Sequence, residues 1–192
     1  MARVDTGGDA LCSARSHGTL TTAMDTTTLF ALLMACAPQV HAGTAQALIA
    51  VESARNPHAI GVVGGALVRQ PTTHAEAIAT ARALHAQGWD FSVGLAQINQ
   101  RNFARLGLTI ESAFEPCTNL GAMQTVLVEC FDHASPKTPS PDAALRDALS
   151  CYYSGNFSTG WRHGYVHKVL AAAAPLRAAT PPLSKATTKE PS

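Results

Sequence analysis

The chain has 192 residues, a length typical of one domain with tails, and a formal net charge of +1 with only 14% charged residues. This weak charge argues against a nucleic-acid-binding protein, which needs a basic face to neutralise phosphates. The 46% hydrophobic content argues against disorder of the whole chain, and no apolar run reaches the roughly 18 residues that indicate a membrane-spanning helix.

The N-terminal part contains one apolar segment, at residues 29–36, after a polar stretch that we predict to be a disordered leader at 1–24. The segment resembles the h-region of a short signal peptide with a cleavage site at 40–42, or a lipoprotein box that ends at Cys36. It also fits a first core helix that begins after Asp25 and ends before Pro38. Because no positive cluster directly precedes the apolar run, we favour the helix and place the folded domain at 25–174.

Helix signals dominate the remainder of the chain. Capping residues, apolar spacing and terminating Gly or Pro residues predict further helices over residues 44–54, 73–88, 95–106, 118–131, 141–152 and 161–169. Gly61, Gly64 and Gly65 stand among β-branched residues and predict a small hairpin at 60–69. The fold class is therefore mainly α, of the α+β kind. The stretch at 175–192, rich in Pro, Thr, Lys and Ser, is predicted to be a disordered tail.

The five cysteines, Cys12, Cys36, Cys117, Cys130 and Cys151, follow no common zinc-binding spacing. One disulfide among Cys117, Cys130 and Cys151 fits an oxidising compartment, buried free thiols fit equally well, and the spacing does not choose among the three pairings.

Metal and cofactor sites have little support in the sequence. His163 and His167 are one helical turn apart, but no third ligand accompanies them, so we expect no metal site. The chain has no glycine-rich phosphate loop, and we expect no cofactor.

Glu52 is the ionisable residue that stands out. It is the only one between His41 and Arg55, and on a helix Leu48 and Ile49 lie one turn before it. Desolvation by such neighbours raises a carboxyl pKa and keeps a proton available near neutrality, which is what a general acid in glycoside cleavage needs. Taken alone, however, such a glutamate is more often a surface residue of an amphipathic helix.

Five motifs set Glu52 in a wider context. They are Glu52-Ser53 followed by Asn56-Pro57-His58-Ala59, the segment 92–99 (SVGLAQIN), Asn119-Leu120, the segment 148–156 (ALSCYYSGN) and the segment 165–169 (YVHKV). In this order and across residues 29–172, they resemble the motifs of lytic transglycosylases with the soluble-transglycosylase, lysozyme-like fold. Residues 61–65, 69–71, 36–38 and 116–120 further resemble the type IV secretion system (VirB) branch of that family.

The resemblance implies roles for individual residues. Glu52 would be the sole catalytic acid and base, and the substrate-binding residues would be Ser53, Ser92, Gln97, Asn99, Tyr152 and Tyr165. Core packing is the alternative for the two tyrosines, and a helix-entry turn is the alternative for Ser92, Gly94 and Gln97. One position departs from the family pattern, because Tyr153 stands where the family has an asparagine.

The resemblance also implies a reaction, namely cleavage of the MurNAc–GlcNAc bond of peptidoglycan with formation of 1,6-anhydroMurNAc. A second carboxylate would instead favour hydrolysis; Asp90 is the best candidate but stands in no motif. The alternatives are therefore a muramidase, a glycan-binding assembly component with little catalysis and, more remotely, a helical regulator.

Expected partners are peptidoglycan strands and components of a type IV secretion apparatus, for whose assembly the enzyme would open the cell wall. Nucleic acid is not an expected partner, and no transmembrane segment is expected. The substrate implies a periplasmic location.

Overall fold

Helices form most of the chain in the computed structural model, which describes residues 23–178. The helices are α1 (Thr26–Cys36), α2 (Ala42–Ser53), α3 (His74–Ala86), α4 (Phe103–Leu106), α5 (Ile110–Phe114), α6 (Pro116–Ala134), α7 (Pro141–Ser154), α8 (Thr159–Arg162) and α9 (Tyr165–Ala178). The strands are β1 (Ile60–Val62), β2 (Phe91–Val93) and β3 (Ile98–Asn99). The predicted mainly α fold with one small β element is confirmed.

Helix α1 is the core helix that the sequence favoured. The side chain of Asp25 caps it by accepting a hydrogen bond from the Thr28 amide, and Leu29 and Leu33 are buried. Met24 also belongs to the folded part, because its amide donates to the Arg55 carbonyl at 2.8 Å. The expected leader otherwise lies outside the described residues.

Helix α2 lies in the core, against α9 and α1, with Ala47, Leu48 and Ile49 completely buried. It begins two residues before the predicted Thr44 cap, since the His41 ring nitrogen accepts a hydrogen bond from the Gly43 amide. It ends where Ala54 takes a left-handed conformation with φ of 50°. Glu52 therefore lies in the last turn of α2, a helix that has several completely buried side chains in its middle part.

The three strands form one antiparallel sheet in the order β1–β2–β3, with Ile60 opposite Val93 and Ser92 opposite Asn99. The predicted hairpin at 60–69 is wrong, because β1 pairs with a strand about thirty residues later. The Gln70 side chain explains the difference. Its Oε1 accepts from the Ile60 amide at 2.8 Å and its Nε2 donates to the Ile60 carbonyl at 2.9 Å, so one amide replaces the expected second strand.

The predicted helix at 95–106 is also wrong in its first part, residues 95–99. Gly94 and Gln97 have positive φ values of 79° and 49°, which a right-handed helix does not accommodate, and the chain becomes helical only in a 3-10 turn at Gln100–Asn102 that continues into α4. Helix α6 begins at Pro116 and not after Thr118, because proline is favoured at the first helical position. The last predicted helix is divided into α8 and α9 at Gly164, which has φ of 73°.

Two disulfides cross-link the helices. Cys36 at the end of α1 bonds to Cys117 at the start of α6, and Cys130 of α6 bonds to Cys151 of α7. The second bond is one of the three pairings that the sequence left open. The first is outside that set, because the spacing did not associate Cys36 with the other three residues. Cys12 lies outside the described residues.

At its C-terminal end, α9 continues through Pro175 to Ala178, past the boundary expected at residue 174. The rest of the expected tail, 179–192, is outside the described residues. Between residues 23 and 178, no helix combines the length and the hydropathy needed to cross a membrane.

Candidate active site

A groove with a volume of about 530 Å³ lies between the sheet and the ends of α2 and α7. Its lining comes from the sheet and the residues that follow it, from the last turns of both helices and from one position of α6. The lining residues are Glu52, Gly61, Val62, Val63, Asp90, Ser92, Gln97, Ile98, Asn99, Arg101, Asn102, Val126, Tyr152, Tyr153, Ser154 and Gly155. Four of the expected substrate-binding residues, Ser92, Gln97, Asn99 and Tyr152, therefore meet Glu52 in one cavity.

Glu52 is half-buried on the wall of this groove. Burial raises the pKa of its carboxyl to about 7, and the opposing effect is a hydrogen bond from Tyr165, which favours the ionised form. The Tyr165 hydroxyl donates to Glu52 Oε1 at 2.5 Å. A pKa near 7 makes both the protonated and the ionised form of Glu52 accessible at neutral pH, so the side chain can both donate and accept a proton.

Tyr165 and Tyr152 use their hydroxyls within the protein. Tyr165, at the start of α9, is only 5% exposed and contacts Glu52 without lining the groove. Tyr152 lines the groove, and its hydroxyl donates to the Ala96 carbonyl at 2.7 Å. Burial, with a smaller contribution from the Glu52 charge, raises the pKa of each tyrosine well above its usual range, so both remain neutral donors.

A tight turn between β2 and β3 positions Gln97. Asn119 of α6, completely buried, holds this turn. Its Oδ1 accepts from the Ala96 amide at 2.8 Å, and its Nδ2 donates to the carbonyls of Val93 at 3.0 Å and Ala113 at 2.8 Å. A side chain at Gly94 would collide with the Asn119 amide, and the φ of 79° there also favours glycine.

The Gln97 side chain faces the groove with its oxygen. Its Nε2 donates to the carbonyls of Ala59 at 3.1 Å and Gly94 at 3.0 Å, so the amide donor is already engaged. Its Oε1 lies 2.7 Å from the position that a Cβ on Gly61 would take. The arrangement leaves the Gln97 side-chain oxygen as an acceptor for a ligand, and a Cβ at position 61 would force that oxygen to move.

A polar cluster occupies the sheet side of the groove. Asn99 donates to Asp90 Oδ1 at 2.9 Å and, more weakly, to the Ser92 hydroxyl at 3.4 Å. Arg101 forms an ion pair with Asp90 Oδ2 at 2.9 Å. Both carboxylate oxygens of Asp90, the second acidic side chain of the groove, are therefore engaged by neighbouring donors.

Ser53 and Tyr165 are the two expected substrate-binding residues that do not line the groove, and the Ser53 hydroxyl donates to the Ile49 carbonyl of its own helix at 3.3 Å. Sequence reasoning also missed groove residues. Arg101 and Tyr153 line the cavity, and Asn119 supports it from behind. Asn119 belongs to one of the five motifs, but the sequence predicts no role for it. The sequence singles out Tyr153 only as a departure from the family pattern.

The arrangement of acidic, histidine and cysteine side chains does not suggest a metal centre. Across residues 23–178, no three or more of these side chains converge in a way that could hold an ion. The groove lining itself offers two carboxyls, hydroxyls, amides and one guanidinium.

A family model described as the transglycosylase SLT domain matches residues 32–163, which is more than half of the chain and includes Glu52 and the whole groove. No solved structure matches the chain significantly.

Among curated proteins, the chain is 48% identical over 148 residues to the type IV secretion system protein virB1 of Brucella abortus. It is 36% identical over 167 residues to protein virB1 of Rhizobium radiobacter and 38% identical over 152 residues to that of Agrobacterium fabrum. The aligned regions cover 74%, 85% and 78% of this chain, but only 62%, 68% and 59% of those proteins. The chain therefore belongs to the SLT transglycosylase family, in its VirB1 branch.

Proposed function

We propose that the protein is a peptidoglycan lytic transglycosylase that uses Glu52 as its single acid and base. The observation that carries this proposal is the state of Glu52. One carboxyl on the groove wall has a pKa of about 7, a value at which loss and gain of a proton are equally accessible at neutral pH. Family membership supports the same reaction class.

The reaction proceeds in two proton transfers. Protonated Glu52 donates its proton to the oxygen of the MurNAc–GlcNAc bond, and the bond between that oxygen and C1 of MurNAc breaks. Ionised Glu52 then accepts the proton of the MurNAc 6-hydroxyl, whose oxygen bonds to C1 of the same sugar. No water is consumed, Glu52 regains its proton, and the product carries a 1,6-anhydro ring. An intramolecular nucleophile benefits from proximity, so a nucleophilic side chain is not required.

Hydrolysis by a muramidase is the nearest alternative, and Asp90 is its only specific support, because a second carboxylate in the groove could activate water. The ion pair with Arg101 and the hydrogen bond from Asn99 argue that Asp90 organises the polar side of the groove instead. A glycan-binding assembly component without catalysis is the remaining alternative, which Glu52 in its raised-pKa state disfavours.

Digestion of purified sacculi, with mass spectrometry of the released muropeptides, tests the proposal. We expect the wild type to release products with anhydro ends. Glu52→Gln should lower the initial rate roughly a thousandfold, because general acid–base catalysis is lost, while circular dichroism shows the same fold. Asp90→Asn serves as the comparison and should retain anhydro products at a reduced rate.

Three results would count against the proposal. Reducing ends in the products, with loss of activity in Asp90→Asn, would identify a hydrolase. Release of no muropeptide by a folded wild type would identify a binding component. Full activity in Glu52→Gln would place the acid elsewhere.

The VirB1 relatives suggest the setting for this activity. The name of the Brucella relative places that protein in a type IV secretion system. We propose that this chain opens the peptidoglycan of the periplasm locally, so that a secretion apparatus can be assembled through the wall, and that components of that apparatus are its protein partners.

A further inference from the structure

All three tyrosines of the sequence lie at the candidate site, but they differ in what they can offer a ligand. The hydroxyls of Tyr165 and Tyr152 donate to Glu52 and to the Ala96 carbonyl, and Tyr165 is nearly inaccessible. Tyr153 lines the same groove as Glu52 and is 44% exposed. It is therefore the tyrosine whose ring surface remains available for a substrate.

The exposed ring of Tyr153 is fixed in place. It stacks on the ring of Tyr165, with centroids 4.6 Å apart and planes 21° from parallel. Its hydroxyl lies 3.3 Å from His163 Nδ1, and the His163 ring meets it edge to face at 5.9 Å. A large apolar surface that is exposed and already ordered loses little conformational freedom when a ligand covers it.

The surroundings of Tyr153 leave room for such a ligand. Tyr153 lies in the last turn of α7, and the next two lining residues, Ser154 and Gly155, have small side chains or none. At Gly155, no heavy atom lies within 4 Å of the position that a Cβ would take. Tyr153 thus lines the groove beside residues of little bulk, and its stacking partner Tyr165 is hydrogen-bonded to Glu52.

We propose that Tyr153 is a substrate-binding residue whose ring stacks against a pyranose ring of the glycan strand, next to the bond that Glu52 protonates. The inference rests on the proposed glycan substrate. A pyranose presents apolar C–H groups on its faces, and an aromatic ring presents a face of negative electrostatic potential, so the two surfaces complement each other. The ring replaces the amide that the family motif has at this position, and it offers contact area in place of hydrogen bonds.

A stacking contact of this kind forms with the bound substrate and persists in the transition state. Uniform binding energy lowers KM and leaves kcat unaffected. By contrast, if Tyr153 acted only by supporting Tyr165, its loss would disturb the hydrogen bond to Glu52, lower kcat and displace the pH profile. The two roles are therefore separable by measurement.

The first test is the binding of a soluble GlcNAc hexamer to the Glu52→Gln protein, measured by isothermal titration calorimetry. Adding Tyr153→Ala should raise Kd roughly five- to tenfold, whereas Tyr153→Phe, which keeps the ring, should stay within about twofold. Tyr153→Leu fills the space on Tyr165 without an aromatic face and should weaken binding as Tyr153→Ala does, so it replaces that variant if alanine prevents folding. The matched control is Phe30→Ala, which removes an equally exposed aromatic ring (47%) from α1, outside the groove.

The second test uses sacculi and the otherwise unaltered protein. Tyr153→Ala should raise KM by a similar factor and keep kcat within about threefold. An unchanged Kd in Tyr153→Ala and Tyr153→Leu, no binding of the hexamer at all, or a fall in kcat with unchanged KM would each overturn the inference. Failure of the proposed function is visible separately, as absence of anhydro products from the wild type.

Discussion

Glu52 is subject to two opposing effects, and their balance sets its chemistry. Burial of the Glu52 side chain destabilises the carboxylate, and the Tyr165 hydroxyl stabilises it. Without the hydroxyl, Glu52 would be a weaker acid and would donate its proton less readily in the first transfer. Without burial, the proton would be absent at neutral pH and the first transfer would fail. Under the proposed mechanism, Tyr165 is therefore a positioning residue that acts through Glu52.

The balance predicts a specific effect on the pH profile. Only protonated Glu52 begins the reaction, so kcat/KM should decrease as the pH rises through about 7. Tyr165→Phe removes the interaction that lowers the pKa of Glu52, and this decrease should therefore move to higher pH. At pH 5.5 we expect kcat/KM of the variant to stay within about tenfold of the wild type. Turbidity loss of sacculi between pH 5 and 9 measures both profiles.

Tyr152→Phe is the control, because it removes a neighbouring hydroxyl that donates to Ala96 and not to Glu52. Its profile should keep the wild-type position while its overall activity decreases. A Tyr165→Phe profile that remains in place or moves to lower pH would contradict the assignment of Glu52 as the acid.

For single residues, the sequence predicted the desolvation of Glu52 but not the hydrogen bond that Tyr165 donates to it. The two apolar residues one turn before it are local, so helical geometry alone predicted the desolvation. Tyr165 is 113 positions away, and only the packing of α9 on α2 places its hydroxyl at 2.5 Å. No pattern within a segment encodes such a contact.

Among the elements, the turn between β2 and β3 shows why the spacing of apolar residues wrongly predicted a helix there. Leu95, Ile98 and Phe103 have helical spacing and are all buried, which is why the stretch was predicted to be a helix. They are buried on a turn, a strand and a short helix instead, and Asn119 holds that turn through hydrogen bonds with the Ala96 amide and the Val93 carbonyl. Helices α2, α3, α6 and α7 were predicted well, since each carries its own capping signal or apolar face.

Asn119→Ala should therefore strongly destabilise the folded protein. It leaves the Ala96 amide and the carbonyls of Val93 and Ala113 without these partners in the interior, and we expect the free energy of unfolding to fall by about 3 kcal/mol. Activity should fall as well, because the turn carries Gln97. Urea denaturation followed by circular dichroism gives the stability.

Thr125→Ala is the matched control on the same helix. Its hydroxyl donates to the Gly121 carbonyl from an exposed position, so the change should stay within about 0.5 kcal/mol. If Asn119→Ala were as mild as this control, the turn would be held by other contacts.

For the molecule as a whole, the two disulfides join α1 to α6 and α6 to α7, and the last two of these helices contribute to the groove lining. The bond between Cys36 and Cys117 encloses 81 positions of sequence, and the bond between Cys130 and Cys151 encloses 21. Cys151 directly precedes the tyrosines of α7, and Cys117 lies two residues before Asn119. The two disulfides therefore restrain the segments that carry Asn119 and the tyrosines of α7.

The length of the loop that each disulfide closes predicts how much the bond contributes to the free energy of unfolding. In the chain-entropy description, the longer loop corresponds to about 4.5 kcal/mol and the shorter to about 3 kcal/mol. The pair Cys36→Ala with Cys117→Ala should hence lose more stability in urea than the pair Cys130→Ala with Cys151→Ala. Each pair is compared with the wild type in the presence and absence of dithiothreitol, which separates loss of the bond from loss of the side chains. Equal stability of the oxidised and reduced wild type would show that neither bond stabilises the fold.

The two disulfides also make the stability of the fold depend on the redox state of its compartment. Disulfides persist outside the reducing cytosol, so both bonds are compatible with the periplasmic location proposed from the substrate. If the chain acts there as proposed, it gains the stability of its cross-links in the same space that contains the peptidoglycan.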